Sequence, residues 1–275
     1  MREALGLAID YEWMNRQMFY GGYPRVQDLF GNTACQATGT PDPKELALLE
    51  PWRGKVPDAV FGPMYKPPTT DGEGQSLRNN LRRARQLLAE AGWTYRDGAL
   101  RDSQGAPMVL EYLDSRESGL RGVTPWARNL EKLGISLRFV TVDFALYMQR
   151  LDKFDFDIIT LAYQGTHNPG QEMLEIFGSQ GADVEASSNH TGVKSPAVDA
   201  LVIAMTRARD QAELLPACRA LDRVIMHSHY LIPQWTLLSH RMVYNQQRLA
   251  YQQPMPPYAK AEEWLMSSWW FVPIH

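Results

Sequence analysis

An α/β fold, with a mixed sheet flanked by helices, is what this sequence of 275 residues predicts. Three observations carry the prediction. Apolar residues recur at helical spacing in several segments, each opened by a Ser, Thr or Asp in a capping position. Between them, residues 135–142 alternate apolar and polar side chains at strand spacing. Residues 157–163 form a short, almost wholly apolar run, as suits a strand buried on both faces. Repeated alternation of helix and strand defines the class.

Element by element, Leu5, Ala8, Ile9 and Trp13 recur at helical spacing from the first residues on. Asp10 is a candidate cap for a second helix through Phe19, with Glu12 near its positive end. Residues 20–75 lose this periodicity and are rich in Gly and Pro, among them Pro41, Pro43, Pro51, Pro57, Pro63, Pro67 and Pro68. A loop of that length signals a functional or covering segment. Short helical pieces such as residues 43–50 break it up. Ser76 then caps a strong helix with Leu77, Leu81, Ala84, Leu87, Leu88 and Ala91 on one face and Gly92 as its stop. Residues 93–105 read as a hairpin around Asp97-Gly98, and residues 107–113 as a strand.

Thr124 and Pro125 occupy the cap and first-turn positions of the next helix, with Trp126, Leu130 and Leu133 inward and Gly134 at its end. Ile135, Leu137 and Phe139 mark the strand that follows, and Phe144, Tyr147, Met148 and Leu151 another helix. Ser195-Pro196 opens a helix carrying Val198, Leu201 and Met205. Asp210 with Glu213 forms a capping-box-like start for a helix through Met226, which Pro216 bends early. Residues 230–238 read as a strand and residues 241–245 as one more.

Bulk properties narrow the function. Apolar residues make up 44% and charged residues 21%, ordinary for a globular protein. A net charge of −3 argues against a nucleic-acid surface, which needs a concentrated basic face. No apolar run approaches the roughly 18 residues of a membrane span. Cys35 and Cys218 form no metal-ligand cluster. Their spacing does not decide whether they pair, and two small buried thiols are the expectation. No basic n-region, apolar h-region or cleavage site opens the chain, which begins inside a helix and so reads as a fragment of a longer protein.

Enzyme motifs are scarce. The sequence has no G-x-S-x-G elbow, phosphate-cradling loop, H-E-x-x-H helix or G-x-G-x-x-G turn. His227 and His229, two apart, would leave a helix on different faces and read as polar residues at a helix end. Asp155 and Asp157 are candidate paired carboxylates, but they read better as the solvated entrance of a strand. Neither a catalytic group nor a metal nor a cofactor is expected.

Five segments in a fixed order then resemble one family. MREALGLAIDYEWMNRQMFYGGY (1–23) resembles the opening of the second lobe in family 5 bacterial extracellular solute-binding proteins. RRARQLLAEAGW (82–93) is similar to the family's helix ending in A-G-W or A-G-Y. NLEKLGISLRFVTVDFALYMQRLDKFDFDIITLAY (129–163) resembles its helix–strand–helix–strand order. SNHTGVKSPAVDALV (188–202) and RALDRVIMHSHYLIPQW (219–235) are similar to its later signatures. NRQMFYGGY and the Pro-rich insertion look closest to an oligopeptide or microcin-uptake branch.

The resemblance implies a periplasmic-binding-protein-like lobe of type II, peptide-binding subclass. Residues 1–240 would be the second, C-terminal lobe, and residues 241–275 a tail returning toward a first lobe outside this chain. The implied function is the substrate-binding component of an ABC importer, capturing oligopeptide or peptide-like solute in the periplasm by two-lobe closure. Its partners would be the solute, the membrane permease and the first lobe, with no nucleic acid. Tail aromatics such as Trp264, Trp269 and Trp270 would either be exposed or pack on the lobe.

Open α/β sheets place ligands beyond the carboxyl ends of their strands, which points to Tyr163, Gln164, Gly165, Thr166, His167 and Asn168. In oligopeptide-binding relatives the matching loop carries an aspartate for the peptide's amino terminus; here Thr166 or His167 falls near that place. A charge-assisted hydrogen bond contributes roughly 1.5–3 kcal/mol, so its absence would weaken amine recognition roughly ten- to a hundredfold. A blocked or modified peptide becomes the better fit. Tyr20, Tyr23, Arg25 and Trp235 are secondary candidates, aromatics for contact area and Arg25 for a ligand carboxylate. Two alternatives stay open: the sensor lobe of a transcription regulator, and a hydrolase using Asp155, Asp157 or His167.

Overall fold

Cap side chains fix where most of the helices start. The computed structural model describes residues 1–163, 168–237, 242–252 and 261–273 of the protein. Helix α1 spans Arg2–Leu7 and α2 spans Tyr11–Phe19, with the Asp10 carboxylate accepting from the Trp13 N–H at the joint. Ala4, Leu5, Ala8 and Ile9 are buried there. Trp13 is not, because the Asp10 cap starts a new helix that turns it outward. Helix α3 (Pro43–Leu49) starts on Asp42, and α4 (Leu77–Glu90) on Ser76. Strands β1 (Thr94–Arg96) and β2 (Ala99–Arg101) pair antiparallel across Asp97 and Gly98, both left-handed as this turn requires.

Strand β3 (Val109–Asp114), helix α5 (Leu120–Glu131) and strand β4 (Ser136–Thr141) form a parallel unit, with Val109 opposite Ser136 and Asp114 opposite Thr141. Helix α5 starts at Leu120, ahead of the predicted Thr124-Pro125 start, and carries Pro125 inside it. An interior proline costs about 3 kcal/mol. Burial of Val123, Trp126 and Leu130 offsets that at roughly 1.5–3 kcal/mol per large side chain. The Trp126 indole also donates to the Leu5 carbonyl at 2.9 Å.

Helix α6 (Phe144–Asp152) forms on its Asp143 cap, but only Leu151 of its residues is buried. Residues 157–163 do not make the strand expected. Ile158 alone bridges to Tyr112, and Asp157, Thr160, Leu161 and Ala162 are exposed. An apolar run does not by itself supply the layers that would cover it. Helices α7 (Glu172–Phe177), α8 (Pro196–Arg207, on Ser195) and α9 (Gln211–His227, on Asp210) follow. Residues 230–237 likewise hold only one bridge, Trp235 to Arg25, since Pro233 has no N–H for a ladder. Leu238 and Arg241 lie outside the described residues, and residues 242–245 are not strand. Strand instead appears as β5 (Leu249–Tyr251), paired antiparallel with β6 (Trp269–Phe271) after helix α10 (Ala261–Ser268).

The chain divides into two compact units, Met1–Trp235 and Thr236–His275. In the first, one buried cluster joins α1, α4, α5 and β3 through Leu5, Leu88, Leu130 and Tyr112. A second surrounds α8 and α9 and takes in Leu49 of α3 and Phe177 of α7. In the second unit the aromatics pack on one another: Tyr251 stacks on Trp269 at 4.7 Å and Trp264 is buried beside both, while Trp270 is half exposed.

Helix α9 holds the Pro-rich segment in place. Cys218 is bonded to Cys35 in a disulfide, which corrects the expectation of two separate thiols. Asp222 accepts from the Leu29 and Ala37 N–H groups at 2.7 and 3.0 Å. Arg223, fully buried, pairs with Glu45 at 2.7 Å and donates to the Thr38 and Gly39 carbonyls. These partners lie far apart in sequence, and nothing local announces them.

Candidate functional site

After α2 the chain turns through Tyr20, in the left-handed region at φ 53°, and reaches Arg25 alongside Trp235. The Val26 N–H donates to the Gln234 carbonyl at 2.9 Å. This short pairing fixes the Arg25 side chain. Its Nε donates to the Pro233 carbonyl at 3.2 Å and its Nη1 to the Pro68 carbonyl at 2.5 Å, and its guanidinium lies 5.3 Å from the Tyr11 ring. The remaining nitrogen, Nη2, is buried and has no acceptor among the described residues. An unpaired buried polar group costs roughly 1–3 kcal/mol. Burial pulls the Arg25 pKa below its ordinary value, with Tyr65, Glu12 and Tyr11 opposing the shift.

A cleft of about 160 Å³ opens beside Arg25, between α1, residues 65–68 and residues 229–233. Leu7, Leu231 and Ile232 give it an apolar wall; Arg2, Glu3 and Lys66 are its other charged residues. Tyr65 meets His227 and His229 edge-on, ring centres 5.9 and 5.5 Å away. The sequence reading sent these two histidines to different faces. They converge because His229 lies beyond the helix end, at φ 53°.

His229 Nε2 stands 3.7 Å from a Glu3 carboxylate oxygen. Burial nevertheless lowers the His229 pKa against the pull of Glu3, so the pair is not ionic at pH 7. Burial also lowers the pKa of His227, whose Nε2 faces the Pro63 carbonyl at 3.2 Å. Among the described residues no three His, Cys, Asp or Glu side chains group as metal ligands, and no helix is long and apolar enough to cross a membrane.

The predicted site residues separate. Gln164, Gly165, Thr166 and His167 lie outside the described residues. Tyr163 packs on Phe177 at 5.7 Å; its hydroxyl is buried without a partner among the described residues, and burial pushes its pKa up to about 12. Asn168 is exposed. Tyr23 and Trp235 both meet Phe19, at 4.9 and 5.5 Å, and so share a neighbourhood with Arg25. Tyr20 is 95% exposed. Sequence reasoning missed Glu3, Tyr65, Lys66 and His229. The one available signal was the Pro-rich segment, flagged as functional without a residue to aim at.

An α/β lobe whose cleft is lined by a partly unsatisfied guanidinium has the make-up of a solute-binding domain. Residues 1–184 match the family described as bacterial extracellular solute-binding proteins, family 5 Middle, and the chain belongs to that family. A Brucella melitensis relative, named only as a binding protein, is 36% identical over 271 residues, covering 98% of this chain and 43% of the relative. The "Probable peptide-binding protein YejA" of Agrobacterium fabrum is 36% identical over 236 residues, 86% of this chain and 38% of its own length. The chain thus spans less than half the length of these curated relatives. Among solved structures, the Bacillus subtilis oligopeptide-binding protein AppA in complex with a nonapeptide superposes with a TM-score of 0.64 at 18% identity, over 99% of this chain and 47% of that one. The fold is that of a type II periplasmic binding protein lobe.

Proposed function

We propose that this chain is the second lobe and returning tail of a substrate-binding component of an ABC importer, which captures an oligopeptide or peptide-like solute in the periplasm. Residues 1–240 form that lobe and residues 241–275 run back toward a first lobe. Closure of the two lobes on the solute shifts the protein toward the state that the membrane permease recognises. The observation that carries this reading is membership of family 5 over residues 1–184, joined to a lobe fold like that of a peptide-binding protein. The disulfide supports the compartment, because such bonds persist in oxidising surroundings.

The role is non-enzymatic. Solute lies against the segment from Tyr163 to Asn168 and against Arg25, Tyr23 and Trp235, with Tyr20 at the rim. With no acid among residues 164–168 to meet a free amine, a peptide blocked or modified at its amino terminus fits best. Mass spectrometry of small molecules co-purifying with the full chain, together with any first lobe it carries, tests the reading. A peptide-like compound is expected. Its absence, with no change in melting temperature on adding peptides, would end the proposal.

A further inference from the structure

We infer that an exposed side of helix α4 docks on a membrane surface of anionic phospholipid. This goes beyond the solute-binding reading and stands apart from it. The helix itself supplies the first reason. Ala84 and Leu88 are buried in the core, while Arg78, Arg82 and Arg85, four and three residues apart, share one exposed side. The stripe runs roughly 10 Å along the helix axis. Like charges at this spacing destabilise a helix, and Arg78 in the first turn meets the positive end of the helix dipole. Among the described residues the Arg78 and Arg82 side chains have no hydrogen-bond or ion-pair partner. Cations set against the helix's own electrostatics, with no acid to neutralise them, mark a surface suited to an external anion.

The neighbouring elements supply the second. Arg85 Nη2 donates to the Lys132 carbonyl at 2.7 Å, just past the end of α5, and its guanidinium lies 5.2 Å from the Tyr95 ring in β1. Lys132 and Arg96 are exposed there, and Tyr95 is half exposed. Glu90, the one acid of α4, pairs with Arg83 at 3.4 Å. Asp97 and Glu131 are outnumbered by the cations around them.

The chemistry of the patch supplies the third. Arginine forks hold phosphate oxygens, and a tyrosine with a wet hydroxyl and an apolar ring suits the boundary between water and lipid. Mobility decides between lipid and nucleic acid. The whole chain carries a net charge of −3, so a rigid polyanion reaching beyond the patch would be repelled. Fluid anionic phospholipids gather under the patch alone.

The test is co-sedimentation of the full chain, with any first lobe it carries, with lipid vesicles. One set of vesicles is pure phosphatidylcholine and the other an equal mixture of phosphatidylcholine and phosphatidylglycerol. At about 0.1 M salt the protein should sediment with the mixed vesicles and not with the neutral ones, and about 1 M salt should release it. Each cation near an anionic surface contributes roughly fivefold to partition, so Arg78→Gln/Arg82→Gln should weaken binding roughly thirtyfold. Both side chains are exposed, and the change leaves the core untouched. The control Lys153→Gln/Arg207→Gln removes the same charge at the ends of α6 and α8 and should leave binding within about twofold. Equal sedimentation with both vesicle types, sedimentation with neither, or equal losses in the two double variants would overturn docking by α4. Release by an equimolar acidic peptide would overturn the lipid assignment in favour of a protein partner. Each of these results leaves the co-purification test of the solute-binding reading to stand or fall separately.

Discussion

Asp222 has no exposed surface and forms no ion pair among the described residues, since the neighbouring Arg223 is committed to Glu45. Burial pushes its pKa up from 3.8 to about 7, although the Leu29 and Ala37 N–H groups pull the other way. The consequence for stability has a definite sign. Between about pH 4 and pH 7 the folded protein keeps a proton that the unfolded chain has released. Stability from this group is therefore full below about pH 4 and falls as pH rises to about 7, at roughly 1.4 kcal/mol per unit. His190, His227 and His229, all lowered by burial, act oppositely and lose stability as pH falls. The variant Asp222→Asn isolates the aspartate. Urea unfolding of both proteins from pH 4 to pH 7 should show the wild-type advantage shrinking steadily with pH; a constant difference would contradict the assignment.

Among the elements, the junction of α5 and β4 shows how one residue sets a packing distance. Gly134 ends the helix at φ +81°, and a Cβ built on it would stand 2.5 Å from the Leu100 backbone nitrogen, whose N–H donates to the Gly134 carbonyl. Gly21 has a similar φ of +74° with nothing within 4 Å of its Cβ position. Gly134→Ala should therefore cost more than Gly21→Ala, which meets only the left-handed penalty of roughly 1–2 kcal/mol. A total of about 3 kcal/mol or more for Gly134→Ala, read from denaturant midpoints, is the expected outcome. Equal costs would show that the β2 contact yields freely.

The same junction marks how far local sequence reaches. Asp10, Ser76, Ser195 and Asp210 start their helices where the sequence places their caps, because a cap acts within one turn. Pro125 misled because its local cost was overcome by Val123 and Trp126, whose burial is a tertiary fact. Residues 157–163 misled for the converse reason. Apolar composition promises burial but does not provide what covers it.

For the whole molecule, the Cys35–Cys218 disulfide closes a span of 183 residues and pins the Pro-rich segment to α9. Chain entropy alone would assign about 5 kcal/mol to a loop of that length, and measured disulfides deliver roughly 2–5 kcal/mol. Reduction with dithiothreitol, or the double variant Cys35→Ser/Cys218→Ser, should lower the stability of the protein by that range. The Asp222 and Arg223 contacts should keep it folded at neutral pH. Unchanged unfolding curves with and without reductant would show that the bond does not constrain the unfolded chain.

Taken alone, the sequence determined the α/β class, the cap-defined helices, the Asp97-Gly98 hairpin and the family to which the chain belongs. Each of these depends on residues within a turn or two of one another, or on the order of such segments along the chain. Only the tertiary structure decided that Cys35 meets Cys218, that His227 and His229 converge on Tyr65, and that Arg25 shares a cleft with Glu3 and Lys66. The cleft joins α1, residues 65–68 and residues 229–233, and no local preference encodes a meeting of segments so far apart along the chain.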